Sequence, residues 1–244
     1  EESRRNDKLG ITHVHHFYTK RNLWVLAILF DRINKSSIEQ KLLKLLFTSQ
    51  LINISKLNRY RPQVSFPYNP LSGTLYISSM VSESNILIAY TNKINKLVVA
   101  LQGISKYYMK KFYTVVFCQS STFLNIPSNS IDYIFTDPPF GSNLMYSELN
   151  FLWEAWLKVF TNNKPEAVVN KVQKKGLAEY QELMERCFAE CYRILKPGRW
   201  MTVEFHNSSN AVWNAIQEAL LRAGFVVADV RTLDKKQGSF KQVT

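Results

Sequence analysis

The C-terminal half of this 244-residue chain predicts an α/β fold with a mostly parallel sheet, preceded by a basic helical N-terminal region. Three observations carry that expectation. From about residue 112 onward, short apolar runs alternate with amphipathic stretches of helical length. Before residue 60 the apolar residues recur at spacings of three and four. Charge divides the same way, because Lys and Arg exceed Asp and Glu by 11 in residues 1–120 and by only 1 in the remainder.

The elements follow in order. Leu23, Leu26, Ala27, Phe30 and Ile33, then Ile38, Leu42, Leu45 and Leu46, line one face each of two helices between residue 19 and about residue 57. Ser36 and Ser37 separate them, and Ser37 with Gln40 has the spacing of a capping box. Three prolines and a glycine make residues 61–73 a loop. Residues 74–80 and 85–91 read as short strands, and residues 93–110 as a helix. Beyond them, residues 113–118 and 130–136 read as strands and residues 149–160 and 180–195 as helices, with Lys196-Pro197-Gly198 closing the second helix. A strand at 200–205, a helix at 212–223 closed by Gly224, and a strand at 225–230 complete the series. The expected division is a basic helical region at 1–65, a small strand and helix insertion at 66–111 that contacts nucleic acid, and the α/β domain at 112–244.

Composition excludes several classes. With 46% hydrophobic and 20% charged residues the chain can build a core, and eight Gly and eight Pro exclude collagen-like repeats. The longest apolar run, residues 23–30, falls far short of the ~20 residues a membrane span needs. The N-terminus lacks the form of a signal peptide. Cys118, Cys187 and Cys191 cannot form a disulfide scaffold or a zinc ribbon and read as buried thiols of a reducing compartment, so the expected location is cytoplasmic. His13, His15, His16 and His206 show no convincing ligand spacing and read as structural, so no metal is expected. The missing initiator Met and the stop soon after an apparent strand predict a chain that is part of a longer polypeptide.

Basic residues interleaved with aromatics and amides suit phosphate neutralisation with base stacking. Lys56, Arg59 and Arg61 form one such group around Tyr60. Lys106, Lys110 and Lys111 form a second around Tyr107, Tyr108, Phe112 and Tyr113. Nucleic acid is therefore the expected partner of the basic half.

The chemistry concentrates in Asp137-Pro138-Pro139-Phe140, placed where the strand at 130–136 ends. Two consecutive prolines fix φ and push the residue before each into an extended conformation, so the loop is stiff. A carboxylate at its start, carbonyls along it and an aromatic ring at its end match an exocyclic amine on a flat ring. In open α/β sheets, ligands bind beyond the carboxyl ends of strands, which is this position.

These residues resemble the catalytic motif of S-adenosylmethionine-dependent DNA amino-methyltransferases of the adenine-N6 and cytosine-N4 type. The likeness continues through the Ile194-Leu195-Lys196-Pro197-Gly198 turn, the strand at 200–205 and the Ala223-Gly224-Phe225 turn. It implies a Rossmann-like methyltransferase sheet, of which this chain carries at least part. It also implies DNA methylation, as in restriction-modification, with Asp137, Pro138, Pro139 and Phe140 catalytic. Asp at the first position is commoner for adenine in that family, which points to N6-adenine. Gly141-Ser142-Asn143-Leu144-Met145-Tyr146 is similar to the loop and helix start that follow the motif in bacterial DNA methylases, which implies Asn143 and Tyr146 as nucleic-acid contacts. His16-Phe17-Tyr18-Thr19 resembles a helix start beside the cofactor in related enzymes, so Thr19, Ser120 and Asp137 are the implied cofactor contacts.

The family's cofactor strand ends in Phe-x-Gly-x-Gly, and this chain has no Gly-x-Gly. A further segment or subunit is therefore the expected source of that motif. The alternatives are an RNA amino-methyltransferase and a catalytically silent nucleic-acid-binding subunit.

Overall fold

The computed structural model describes residues 6–37, 39–60, 70–71, 73–105 and 113–231. The chain divides into two compact units, each built from separate stretches of sequence. One comprises Glu1–Phe117 and Leu144–Glu166, the other Cys118–Asn143 and Ala167–Thr244.

The first unit is helical. After single turns at Asp7–Leu9 and Val14–Phe17 it forms α1 (Lys20–Lys35), α2 (Gln40–Thr48) and α3 (Ile86–Ser105), with α4 (Tyr146–Leu157) supplied by its second stretch. Helix α1 begins where Thr19 accepts a hydrogen bond from the Asn22 amide at 3.2 Å, which satisfies one of the donors a helix start leaves open. Its apolar stripe meets α2 and the turns that follow, and the core gathers on Phe47. The ring of Phe30 lies 5.0 Å from Phe47, that of Trp156 5.3 Å. Two buried amides lock this core. Asn22 donates to the carbonyls of Ile54 and Ser84, and fully buried Asn58 to the Ser82 carbonyl and the Ser84 hydroxyl. A buried amide without such partners would be destabilising, so these bonds fix the register of the loops.

Three expectations for this unit change. Residues 74–80 contain no strand, and residues 85–91 open a helix instead of a strand. Asn85 accounts for the second, since its side chain accepts from the Ile88 amide at 3.2 Å and its carbonyl from the Ala89 amide. That N-cap outweighs the β-propensity of Ile86 and Ile88. Helix α3 therefore starts at Ile86, earlier than its periodicity predicts. Ser37 does not cap α2, because Glu39 occupies the cap position; Gln40 turns back to donate to the carbonyls of Asn34 and Ser36.

The second unit holds the sheet. Strand β1 (Ile131–Thr136) pairs in parallel with β2 (Leu195–Val203), and between them the chain forms α5 (Leu177–Ile194); α6 (Asn210–Arg222) follows β2. Register runs from Ile131 opposite Leu195 to Tyr133 opposite Trp200 and Thr136 opposite Val203. The break between the first two pairs lets Lys196-Pro197-Gly198-Arg199 bulge out, with Gly198 at φ +73°, so the turn read from these residues is present as an excursion within the strand. Met201 and Val203 pack beneath α5 and α6, against Tyr180, Met184, Phe188, Ile216 and Ala219.

The other face of the pair carries Tyr133, Phe135 and Trp200, all exposed. Among the described residues the sheet has these two strands only, so the α/β class expected is present as one parallel strand pair with its helices. Residues 113–118 and 225–230 pair with no other described residues. Their apolar alternation supplies strand-forming side chains but no ladder partner, and Tyr113, Val116 and Val226 remain 92%, 90% and 84% exposed. The thiol of Cys118 is exposed as well, whereas Cys187 and Cys191 are half-buried on α5; burial, aided by Cys187 and Glu190, pushes the Cys191 thiol up to about 11.

Candidate active site

The Asp137-Pro138-Pro139-Phe140 loop leaves the carboxyl end of β1. Neither proline has an N–H, so the loop cannot hold itself with turn hydrogen bonds and depends on donors reaching its carbonyls. The Thr136 carbonyl accepts from the Glu204 amide at 2.9 Å, continuing the strand pairing by one residue. The Tyr180 hydroxyl donates to the Pro139 carbonyl at 2.5 Å. The Phe140 carbonyl accepts from the Asn207 side-chain amide at 2.9 Å and from the Asn143 backbone amide at 3.3 Å. The Gly141 carbonyl accepts from the Val169 amide at 3.2 Å. Within the described residues the carbonyls of Asp137 and Pro138 accept nothing.

Side chains follow the same division. Asp137 is exposed and makes no ion pair among the described residues, while Pro138 is buried. Phe140 is half-buried, with its ring edge-to-face against Phe205. Gly141 turns the chain at φ +66°, which favours glycine by conformation, and a Cβ there would press on Val212 at 3.2 Å.

Ahead of β1, residues 124–130 are strapped onto α5. Arg193 donates to the carbonyls of Leu124 and Ile126 and to the Ser128 hydroxyl, and pairs with Glu190 at 2.8 Å. Glu190 in turn accepts from the Leu124 amide at 2.7 Å. The Arg193 guanidinium, with that amide, holds the Glu190 carboxyl down at about 2.

The residues expected from sequence are divided between the two units. Asp137, Pro138, Pro139, Phe140 and Asn143 form one loop in the second unit. Ser120 is in that unit too, in an exposed turn where its hydroxyl meets that of Thr122 at 2.8 Å. Thr19 belongs to the first unit, where it caps α1 and donates to Glu83 at 2.6 Å. Tyr146 opens α4 in the first unit and is exposed. Lys56 and Arg59 lie there also, Lys56 with its amide on the Phe17 carbonyl and Arg59 in a single bridge to Val81. Arg61, Lys106, Lys110 and Lys111 lie outside the described residues. No group of His, Cys, Asp or Glu among the described residues could hold a metal ion.

S-adenosylmethionine needs a close backbone approach and several convergent polar groups, and the residues present do not fit it. The Thr19 hydroxyl is taken up by Glu83 and the Asn22 amide, and that of Ser120 by Thr122. Gly141, Gly198 and Gly224 stand at three separate turns.

Sequence reasoning passes over Tyr180 and Asn207. Tyr180 carries a signal: it is the one hydroxyl on the apolar stripe Tyr180, Met184, Phe188, and a buried Tyr hydroxyl finds a partner. Asn207, in the polar stretch before α6, has no comparable mark. Its three bonds, to the Phe140 carbonyl, from the Ser209 amide and from the Trp213 indole, emerge only in the fold.

Residues 131–244 match the DNA methylase family, of the N6 and N4 amino-methyltransferase type. No curated protein and no solved structure matches the chain.

Proposed function

We propose, with the match of residues 131–244 to the DNA methylase family as the premise, that this chain carries the target-amine site of a DNA adenine-N6 methyltransferase. The observation that supports it is the state of the loop: the carbonyls of Pro139, Phe140 and Gly141 are engaged, whereas the Asp137 carboxylate and the Pro138 carbonyl are not. Two acceptors side by side at a strand end suit the two hydrogens of an exocyclic amine. Adenine, rather than cytosine, follows from Asp at the first position of the motif.

The amine of adenine is conjugated with the ring and a poor nucleophile. Hydrogen bonds from it to Asp137 and to the Pro138 carbonyl localise the nitrogen lone pair and aim it out of the ring plane. Catalysis by these residues is thus positioning and electrostatics in a stiff frame. Phe140 stacks on the base, which must leave the duplex to arrive there. Lys56, Arg59 and the other basic residues of the N-terminal half neutralise DNA phosphates.

S-adenosylmethionine is the methyl donor of this reading, bound by a segment or subunit that carries the glycine motif. The absence of Gly-x-Gly also favours a second reading, a silent nucleic-acid-binding subunit. One experiment separates them. In the complete enzyme containing this chain, labelled methyl transfer to DNA is expected, and Asp137→Ala should abolish it without lowering the melting temperature, since Asp137 is exposed and supports no neighbour. Turnover retained in Asp137→Ala refutes the proposal. DNA binding without methyl transfer in the wild-type enzyme establishes the silent subunit, and methylation of RNA in place of DNA reassigns the substrate.

A further inference from the structure

The geometry points to Tyr180 as a positioning residue for methyl transfer, acting on the Asp137–Phe140 loop through the Pro139 carbonyl; the inference rests on the reading of that loop as the amine site. A diproline turn offers no N–H between the amides of Asp137 and Phe140, so its conformation must be set by donors from other elements. Tyr180 is the donor at its centre. It projects from the first turn of α5, has no exposed surface, and bonds Pro139 at 2.5 Å. A buried hydroxyl here donates to a carbonyl that has no other donor among the described residues, which fixes the loop's height above α5.

Its consequence is selective. Occupying Pro139 removes the carbonyl that would compete with Pro138 for the target amine. Asn207 does the same at Phe140, bonding at 2.9 Å from a side chain whose oxygen accepts from the Ser209 amide, while its backbone carbonyl accepts from the Trp213 indole. Just ahead of these two anchored carbonyls, the unengaged proline carbonyl is that of Pro138, directly after Asp137. The pair of amine acceptors is thereby chosen by α5 and the segment before α6, two elements that need not touch the DNA.

Tyr180→Phe keeps the ring in the core and deletes only the donor. In the complete enzyme, kcat for DNA methylation should fall about tenfold or more, as small displacements of a reacting frame do, while KM for DNA and for S-adenosylmethionine stays within about twofold. Asn207→Asp, which cannot donate to the Phe140 carbonyl, should lower kcat in the same way. Wild-type kcat in Tyr180→Phe, with Asp137→Ala inactive, overturns the inference alone. So does a rise in both KM values with kcat unchanged, which marks lost ground-state binding, and so does a fall in kcat fully accounted for by a smaller active fraction on active-site titration, which marks a role in folding only. Turnover retained in Asp137→Ala removes the amine-site reading and this inference with it.

Discussion

Phe205 meets Phe140 edge-to-face, with ring centroids 5.3 Å apart and planes at 85°, and is met in turn by Trp213 at 5.0 Å and 86°. Each ring presents its positive edge to the next ring's negative face, an arrangement worth about 0.5–1.5 kcal/mol per pair beyond burial. On the proposed reading, the ring that stacks on a base is therefore braced by Phe205 before any base arrives.

Phe140→Ala should weaken capture of a flipped base by about 1–3 kcal/mol, the usual worth of a base–aromatic stack. Phe205→Leu leaves the stacking ring in place but removes its clamp, so a smaller loss is expected. Titration of DNA carrying 2-aminopurine at the target position, read by fluorescence, checks both. Equal affinity in Phe140→Ala and wild type would remove Phe140 from the base site.

The Glu190 and Arg193 strap predicts an acid-labile segment ahead of β1. Glu190 is lowered from its ordinary 4.5 to about 2, chiefly by Arg193. A depressed carboxyl stabilises the fold above its unfolded value and loses that contribution as pH falls through the folded value. The stability difference between wild type and Glu190→Gln should thus be constant above about pH 5 and shrink between about pH 4.5 and 2. Urea unfolding of both proteins across that range is the measurement; a difference independent of pH would mean the strap works through shape alone.

The basic half should dominate nonspecific DNA affinity. Replacing Lys56 and Arg59 with Gln should weaken binding uniformly across sequences and flatten the dependence of log K on log salt by about 0.9 for each phosphate that these cations neutralise. Filter binding between about 50 and 200 mM salt, where phosphate neutralisation governs affinity, decides the matter. An unchanged slope would give these cations another purpose.

Much of the second unit is legible in the sequence. The β1 strand, its diproline loop and α5, with the turn at Gly198, follow from apolar runs bounded by strong punctuation, where local chemistry and tertiary structure agree. Residues 113–118 and 225–230 mislead because a strand is defined by its neighbour as much as by its own side chains. The start of α3 misleads because Ile86 and Ile88 suit a pleated surface as well as a helix, and only the Asn85 cap decides between them. The carbonyls that the loop's anchors hold are beyond the reach of sequence, since Tyr180 and Asn207 stand 41 and 67 residues from them, even though Tyr180 is marked as a hydroxyl in need of a partner.

Residues 1–244 alone should bind S-adenosylmethionine weakly or not at all. Calorimetric titration of the isolated chain should give no measurable heat, and adding a segment that carries a glycine motif should restore binding. Low-micromolar affinity in the isolated chain would show that the cofactor site lies within it.

The first unit is interrupted: its helical core receives Leu152, buried to 3%, from a stretch that follows residues 118–143 of the other unit. During vectorial synthesis this core cannot close when residue 117 emerges from the ribosome. It waits until α4 has been made, by which time β1 and the diproline loop are already outside the tunnel without α5 or β2 to receive them. The nascent chain thus passes through a stage at which neither unit is complete, and a chain truncated anywhere before α4 loses the first unit's core along with the second.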